Sequence, residues 1–322
     1  MKNILITGIT GQDGIFLTET ILSKEKNINI VGISRSISNK QFFKNLSSIN
    51  NLSVDNVNLI NIDLNNFSDV SNFINDFKPS AVYNLSGPSS PSESLRNKEK
   101  YLMIETIFNN LTKALVNSKN LCNFFQASSS EMFEKNIEGE LDEQSNFSPN
   151  SPYAVFKYNN HLKTKELKKK YDWNIYSGIM FNHESEFRRN EYLIMSLINS
   201  AINISNGKEK YFNVGSLEYI RDWSFAGDVA EAIYKITNFG QNSNYVIGSG
   251  EGNSIKKMIE IIFTKFGLNY ENFIQIDSDL LRPGDPIRIV SNPILLNKEL
   301  SWKPQLSFEE LIERCISYKV KS

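Results

Sequence analysis

The chain has 322 residues, a formal charge of −1, two cysteines and two histidines. So balanced a charge excludes a protein that binds nucleic acid through a basic face, and the scattered Cys122, Cys315, His161 and His183 predict neither a disulfide framework nor a metal site. No long apolar run is present and the N-terminus enters a strand at once, so neither a membrane span nor a leader is expected, and the expected compartment is the cytoplasm.

Asn3 to Thr7 is a short apolar run rich in β-branched residues and reads as a buried parallel strand. Glycines follow at Gly8, Gly11 and Gly14, and Ile15 to Leu22 carries apolar residues at helical spacing. Strand, glycine turn and helix together can hold a pyrophosphate. The turn admits close backbone approach, and the helix N-terminus offers free N–H groups and a positive dipole end. The spacing is G-x-x-G-x-x-G rather than the dinucleotide fingerprint G-x-G-x-x-G. Ile28 to Ser34 is the second strand, ending in Ser34-Arg35-Ser36. An acid at this point would bond a ribose 2′-hydroxyl; its absence beside Arg35 favours NADP over NAD, the alternative being a solvated surface arginine.

Residues 38 to 56 are polar and predict a loop with a short helix. Val57 to Ile62 is the third strand, closed by Asp63-Leu64, where Asp63 would reach a bound adenine or cap the helix beginning near Ser68. Ala81 to Leu85 is the fourth, followed by Ser86-Gly87-Pro88-Ser89-Ser90, small residues on the ligand side of a parallel sheet. A long helix over 97–118 leads to a fifth strand, Phe124 to Ser128, and then to Ser129-Ser130-Glu131. This alternation predicts an α/β fold with a doubly wound parallel sheet. Later come a strand over 175–181, a helix over 192–205, a helix over 229–237, a strand over 244–247 and a helix after Ser254. A last helix follows the capping pattern Ser307-x-x-Glu310. The expected organisation is a Rossmann-like domain over 1–175, rejoined by segments of about 213–248, with a smaller lobe mainly over 176–322. Segments 182–190 and 282–288 suit closure of that lobe over a ligand.

Tyr153 and Lys157 stand four apart in Ser151-Pro152-Tyr153-Ala154-Val155-Phe156-Lys157. Pro152 suits a first helical turn, which puts both side chains on one face. A lysine cation beside a phenol favours the phenolate, which would lower its pKa and make the tyrosine usable as a base.

The glycine turn, the serine-rich strand end and Tyr153-x-x-x-Lys157 resemble the extended short-chain dehydrogenase/reductase superfamily over essentially the whole chain. More narrowly, the sequence resembles GDP-mannose 4,6-dehydratases. The matching motifs are Ile6-Thr7 with Gly11-Gln12-Asp13-Gly14, Gln126 to Glu131 (Ser129 in place of threonine), Ser151 to Lys157, Phe181-Asn182-His183-Glu184-Ser185 and Arg221-Asp222-Trp223. Arg282-Pro283 and Trp302-Lys303-Pro304 complete the series.

The resemblance implies an NADP-dependent hydro-lyase that makes a GDP-4-keto-6-deoxy sugar for bacterial surface glycans, working as a homodimer or homotetramer. Tyr153 would be the base for the sugar 4-hydroxyl, Ser129 a hydrogen bond to O4, Glu131 the base for the C5 proton, and Lys157 a partner of the nicotinamide ribose. Without the family, Glu131 reads as a surface carboxylate or a cap. The cofactor would lie against Gly8, Thr10, Gly11, Gln12, Asp13, Gly14, Arg35, Asp63, Leu64, Leu85, Tyr153 and Lys157. The substrate would meet Ser86, Ser89, Asn182, Glu184, Arg221 and Arg282, with the two arginines on the diphosphate. His183 is assigned no chemistry, and no metal is implied. The helices over 97–118 and 153–170 would pair across a dimer interface, as superfamily members do.

Three departures bear on the substrate. The family's Ala-Ala-Gln-Ser-His is here Ser86-Gly87-Pro88-Ser89-Ser90, a nucleotide-contacting lysine falls at or near Leu197, and the acid after Arg-Pro is displaced to Asp285. The loop from Ser86 to Ser90 faces the sugar, so the sequence leaves the sugar open among mannose, N-acetylglucosamine and a heptose, with GDP-mannose and GDP-N-acetylglucosamine the two to test. A GDP-4-keto-6-deoxymannose reductase or a sugar-nucleotide epimerase is the alternative enzyme. A non-enzymatic NADP-sensing protein is the alternative outside catalysis.

Overall fold

The computed structural model describes residues 1–35, 39–50, 53–135, 139–281 and 284–321. From the N-terminus the strands are β1 (Lys2–Thr7), β2 (Ile28–Ile33), β3 (Val57–Ile60), β4 (Ala81–Asn84), β5 (Asn123–Ala127) and β6 (Ile175–Met180). Then follow β7 (Asn182–Glu184), β8 (Phe212–Val214), β9 (Ile220–Phe225), β10 (Asn244–Ile247), β11 (Gly252–Ser254), β12 (Ile274–Ile276) and β13 (Arg288–Ile289). The first six and β10 form one sheet in the order β10-β6-β5-β4-β1-β2-β3, parallel at every pairing. The connections reverse direction at β1, which lies between β2 and β4. A crevice opens at such a switch point, outside the carboxyl ends of the strands.

Helices cover both faces, as the near-continuous apolar character of the strands requires. In chain order they are α1 (Gln12–Lys24), α2 (Lys40–Ile49), α3 (Phe67–Phe77), α4 (Pro91–Arg96), α5 (Lys98–Tyr101) and α6 (Met103–Asn117). They continue with α7 (Pro152–Tyr171), α8 (Leu193–Ser205), α9 (Ala226–Phe239), α10 (Ile255–Lys265), α11 (Ile294–Leu300) and α12 (Phe308–Lys321). Alternate strand residues go to opposite faces. Ile4, Ile6, Tyr83 and Phe125 pack with α1 and α9, whereas Leu5, Val82 and Phe124 pack with α3, α6 and Trp173. Each such side chain, removed from water, contributes about 1.5–3 kcal/mol.

The predicted elements form within a few residues of their expected bounds, with local differences. The helix predicted over 97–118 is divided at Leu102, whose N–H bonds the Glu99 carbonyl at 3.2 Å in a tighter turn before α6 begins. Asp63 does not cap α3. Asn66 does so by accepting from the N–H groups of Ser68 and Asp69, while Asp63 accepts from Asn65 in its own turn. The capping pattern before α12 forms as read, with Ser307 N–H donating to Glu310 and Glu310 N–H to the Ser307 hydroxyl. Leu102, just before α6, and Val155 and Leu162 on α7 stand exposed, and α6 and α7 pack side by side.

From β7 on, the chain adds small sheets at the carboxyl ends of the strands. β9 pairs with β7, β11 and β13, and β8 pairs with β12. β7 follows β6 after one residue, so the lobe enters directly from the sheet. Among the described residues, no helix is long and apolar enough to cross a membrane.

Candidate active site

The turn after β1 is built for backbone approach. Gly8 has φ +71°, and a Cβ there would sit 2.9 Å from the Leu85 carbonyl group. A Cβ on Gly14 would fall 2.3–2.5 Å from the Ile9 backbone. Gly11 N–H closes the turn on Gly8 O at 3.0 Å, and Gly11 stands at the N-cap of α1. The helix thus begins with its free N–H groups at the crevice, and the residues present fit a dinucleotide. Thr10 is half-buried in the same turn. Arg35 is exposed just past β2, and its carbonyl faces Asn61. Asp63 is exposed past β3, beside buried Leu64.

A buried polar line runs under this turn. Thr7 donates to Asn84 at 2.7 Å, Asn84 to Gln126 at 2.7 Å, and Gln126 to the Ala127 carbonyl at 2.8 Å. Lys157 Nζ donates to that same carbonyl at 2.8 Å. Thr7 also accepts from Ser86 N–H. The turn, the loop after β4 and the lysine of α7 are therefore held in one register. Every link but that of Ser86 is buried, so an unpaired group left there would cost about 1–3 kcal/mol.

Ser151 caps α7, Pro152 takes its first position, and Tyr153 and Lys157 share the inward face as expected. Both are 7% exposed. Tyr153 hydrogen-bonds Ser129, and its N–H donates to Ser94 at 3.2 Å. Glu131 sits half-buried on the short turn after Ser129, whose hydroxyl accepts its N–H at 3.3 Å. The expected lowering of the phenol's pKa does not occur in this chain. Burial pushes Tyr153 up, with the Glu131 charge adding to it, against the Ser129 bond and the Arg188 charge. Lys157, 5.7 Å from the ring centroid, spends a proton on Ala127. Burial in turn pushes Lys157 down to about 8 against the Asp13 charge.

The lobe meets the glycine turn through β7. His183 Nε2 lies 3.0 Å from Asp13, and its Nδ1 is 2.7 Å from the Phe181 carbonyl. Gln12 donates to the His183 carbonyl and accepts from Ser185. Burial alone would push the imidazole down, but Asp13 holds it above its ordinary range; burial would likewise raise Asp13, and His183 holds it below. Glu184 is buried, raised by that burial, and 3.2 Å from Arg188. Asn182 is exposed at the lobe's edge.

Sequence reading missed two residues in this cleft. Arg188 bears on Asp13, Tyr153, His183 and Glu184 together, and its guanidinium stacks 3.5 Å from the Tyr192 ring centroid. Tyr192 OH lies 2.6 Å from Ser89. The paired arginines of segment 182–190 were the available signal. Arg221, by contrast, is buried with its donors engaged: on Asp285 at 3.1 Å and on the Ile220 and Ile287 carbonyls. A diphosphate at this edge would have to compete with Asp285. Arg282 lies outside the described residues. Leu197 is buried in the core of α8. Among the described residues, no cluster of three His, Cys, Asp or Glu side chains could hold a metal.

The family model described as GDP-mannose 4,6 dehydratase matches residues 5–315. The chain belongs to that family. It is 32% identical over 327 residues to GDP-mannose 4,6 dehydratase 2 of Arabidopsis thaliana, covering 98% of this chain and 86% of the relative. It is 27% identical to the GDP-mannose 4,6-dehydratase of Vibrio cholerae serotype O1, covering 98% and 93%. Among solved structures, the dTDP-glucose 4,6-dehydratase of Bacillus anthracis in complex with NAD superposes with a TM-score of 0.84 at 20% identity, covering 100% of this chain and 97% of the other. A UDP-glucose 4-epimerase of Thermotoga maritima gives 0.85 at 18%, covering 99% of each. At these identities the structures establish the shared Rossmann-like fold.

The Asp13–His183 pair makes a pH prediction. Because the His183 pKa is raised above 6.5, its contribution is complete below that value and is lost as pH rises through the raised one. Because the Asp13 pKa is lowered below 3.8, its share is present above that value and is lost only as pH falls through the lowered one. The melting temperature of the wild-type chain should therefore fall, relative to His183→Gln, as pH rises above 6.5. Parallel profiles of the two proteins from pH 6 to 9 would contradict the assignment.

Proposed function

We propose that this chain is a nicotinamide-dependent GDP-sugar 4,6-dehydratase that uses NADP, converting GDP-mannose or GDP-N-acetylglucosamine to the 4-keto-6-deoxy product. The observation that carries the reading is the meeting of Tyr153, Ser129, Glu131 and Lys157 beside the glycine turn, in a chain of this family. The nicotinamide would supply the hydride sink for C4 and the hydride source for C6.

The chain's own residues divide the proton work. Tyr153, bonded to Ser129, takes the proton of the 4-hydroxyl as C4 is oxidised. The ketone then acidifies the C5 proton, because the carbanion it leaves is delocalised onto O4. Glu131 removes that proton and delivers it to the 6-hydroxyl, which leaves as water. Once a hydride is added at C6, C5 takes up a proton equivalent to the one Tyr153 removed and exchangeable with solvent. Ser129 can donate to O4 as negative charge builds there. Lys157 anchors the helix that carries Tyr153 through Ala127 and keeps a cation under the site. The Asp13–His183 clasp and Gln12 hold the lobe closed against the turn, which excludes water from the reacting carbons. Asn182 and Glu184 face the substrate from the lobe. A surface-glycan role for the product follows the reading of the sequence.

Separate carboxylate and phenol roles predict separable defects. Glu131→Gln should still oxidise bound substrate, seen as reduced nicotinamide, while product release falls about 10²–10⁴-fold. Tyr153→Phe should lose both signals. Turnover of Glu131→Gln within a few-fold of wild type would exclude it as the C5 base. NADP preference is supported by Arg35 and by the lack of an acid after β2. Titration should find NADP tighter than NAD, with the gap narrowed by Arg35→Ala; equal affinities in the unmodified protein would refute it.

A further inference from the structure

Two hydroxyls from opposite sides of the cleft meet at its mouth. Ser89 lies on the loop after β4, which is anchored by Ser86 N–H on Thr7 and by Ser90 capping α4. Tyr192 stands at the N-cap of α8, where its carbonyl accepts from Ser196 at 2.9 Å and its N–H donates to Arg189 O at 3.2 Å. Its OH lies 2.6 Å from Ser89 and accepts from Arg189 at 3.1 Å. The ring is clamped by the Arg188 guanidinium at 3.5 Å, and Glu184 holds that arginine. Ser89 is exposed and Tyr192 half-buried, so the pair stands at the surface of the cleft. They belong to the same cleft as the catalytic tyrosine: Arg188, stacked on Tyr192, is held by Glu184 of β7, which is pinned to the glycine turn through His183 and Asp13.

We propose that Tyr192, acting with Ser89, is a specificity residue that contacts the hexose at its C3 and C2 substituents. The inference rests on the dehydratase reading above. If Tyr153 meets O4 and Glu131 the C5 proton, the ring carbons beyond C4 from C5 are C3 and then C2. Ser89 and Tyr192 come from the loop after β4 and from the lobe, whereas Ser129 and Glu131 come from the end of β5. A rigidly clamped phenol also discriminates better than a mobile polar side chain, because little rotamer freedom is lost when it engages a ligand. Its oxygen already accepts from Arg189, so its proton is the group it offers; a sugar oxygen or an acetamido carbonyl can take the place that Ser89 now holds. C2 is where the two candidate substrates differ, bearing a hydroxyl in mannose and an acetamido group in N-acetylglucosamine.

Tyr192→Phe keeps the ring and its stack on Arg188 but removes the hydroxyl; Ser89→Ala removes the partner. Both variants and wild type would be assayed with GDP-mannose and GDP-N-acetylglucosamine under saturating cofactor, with Kd for GDP alone measured beside them. The expected result is a three- to tenfold rise in KM for the preferred sugar, the loss of about one neutral hydrogen bond. The ratio of kcat/KM between the two sugars should change by at least threefold, with GDP affinity unchanged. A ratio unchanged in folded variants, or GDP affinity falling in step with KM, would show a merely structural bridge and overturn the proposal. If wild type converts neither sugar, the dehydratase reading falls and this one with it. Wild-type turnover with an unaltered ratio would remove only the role of Tyr192.

Discussion

The ion pair between Asp13 and His183 holds the C-terminal lobe against the first turn of α1. Gln12 doubles the joint by donating to the His183 carbonyl and accepting from Ser185. Both charged groups are largely withdrawn from water, where an unpaired charge is costly. Neither can be moved without exposing or orphaning the other. The consequence is geometric: β7 leaves β6 after a single residue and is then pinned at the N-terminus of the helix that the glycine turn presents. Asn182 and Glu184, which flank His183 on β7, take their positions from that joint.

A second constraint lies beneath it. The buried line from Thr7 through Asn84 and Gln126 to the Ala127 carbonyl, which Lys157 also reaches, crosses β1, β4 and β5 and ends on α7. Such a network rigidifies a core when every member is satisfied. It sets the glycine turn, Ser129 and the Tyr153 helix at fixed distances from one another. The catalytic proposal therefore concerns preorganised groups rather than side chains gathered from mobile loops. The buried phenol remains neutral by itself, which suits a residue that should lose its proton only once a cation and a substrate share the cleft.

Much of this was legible in the residues. Alternating apolar strands and periodic helices are set by local geometry, so β1 to β6, α1 and α7 could be read directly. Ser151-Pro152 and Ser307-x-x-Glu310 work as caps because capping is itself local. The rest depended on distance in space. A spacing of four residues put Tyr153 beside Lys157 but said nothing of burial, which dominates the phenol and raises it. Arg188 lies in an irregular segment and Tyr192 at the very start of the helix read over 192–205, and their importance comes from Glu184 and from Ser89, a hundred residues earlier. Arg221 matched a motif, yet its guanidinium is paired with Asp285, a contact that no spacing reveals.

The central claim is an internal redox cycle in which Tyr153 and Glu131 act on adjacent carbons of one sugar. It is tested most directly by turning over GDP-hexose carrying deuterium at C4 in ordinary water, and unlabelled substrate in deuterium oxide, with the product read by mass and NMR. The account predicts that the C4 label reappears at C6, that solvent deuterium enters at C5, and that no net reduced cofactor is formed. A C4 label retained in place or lost to water, or one cofactor consumed per sugar, would contradict it.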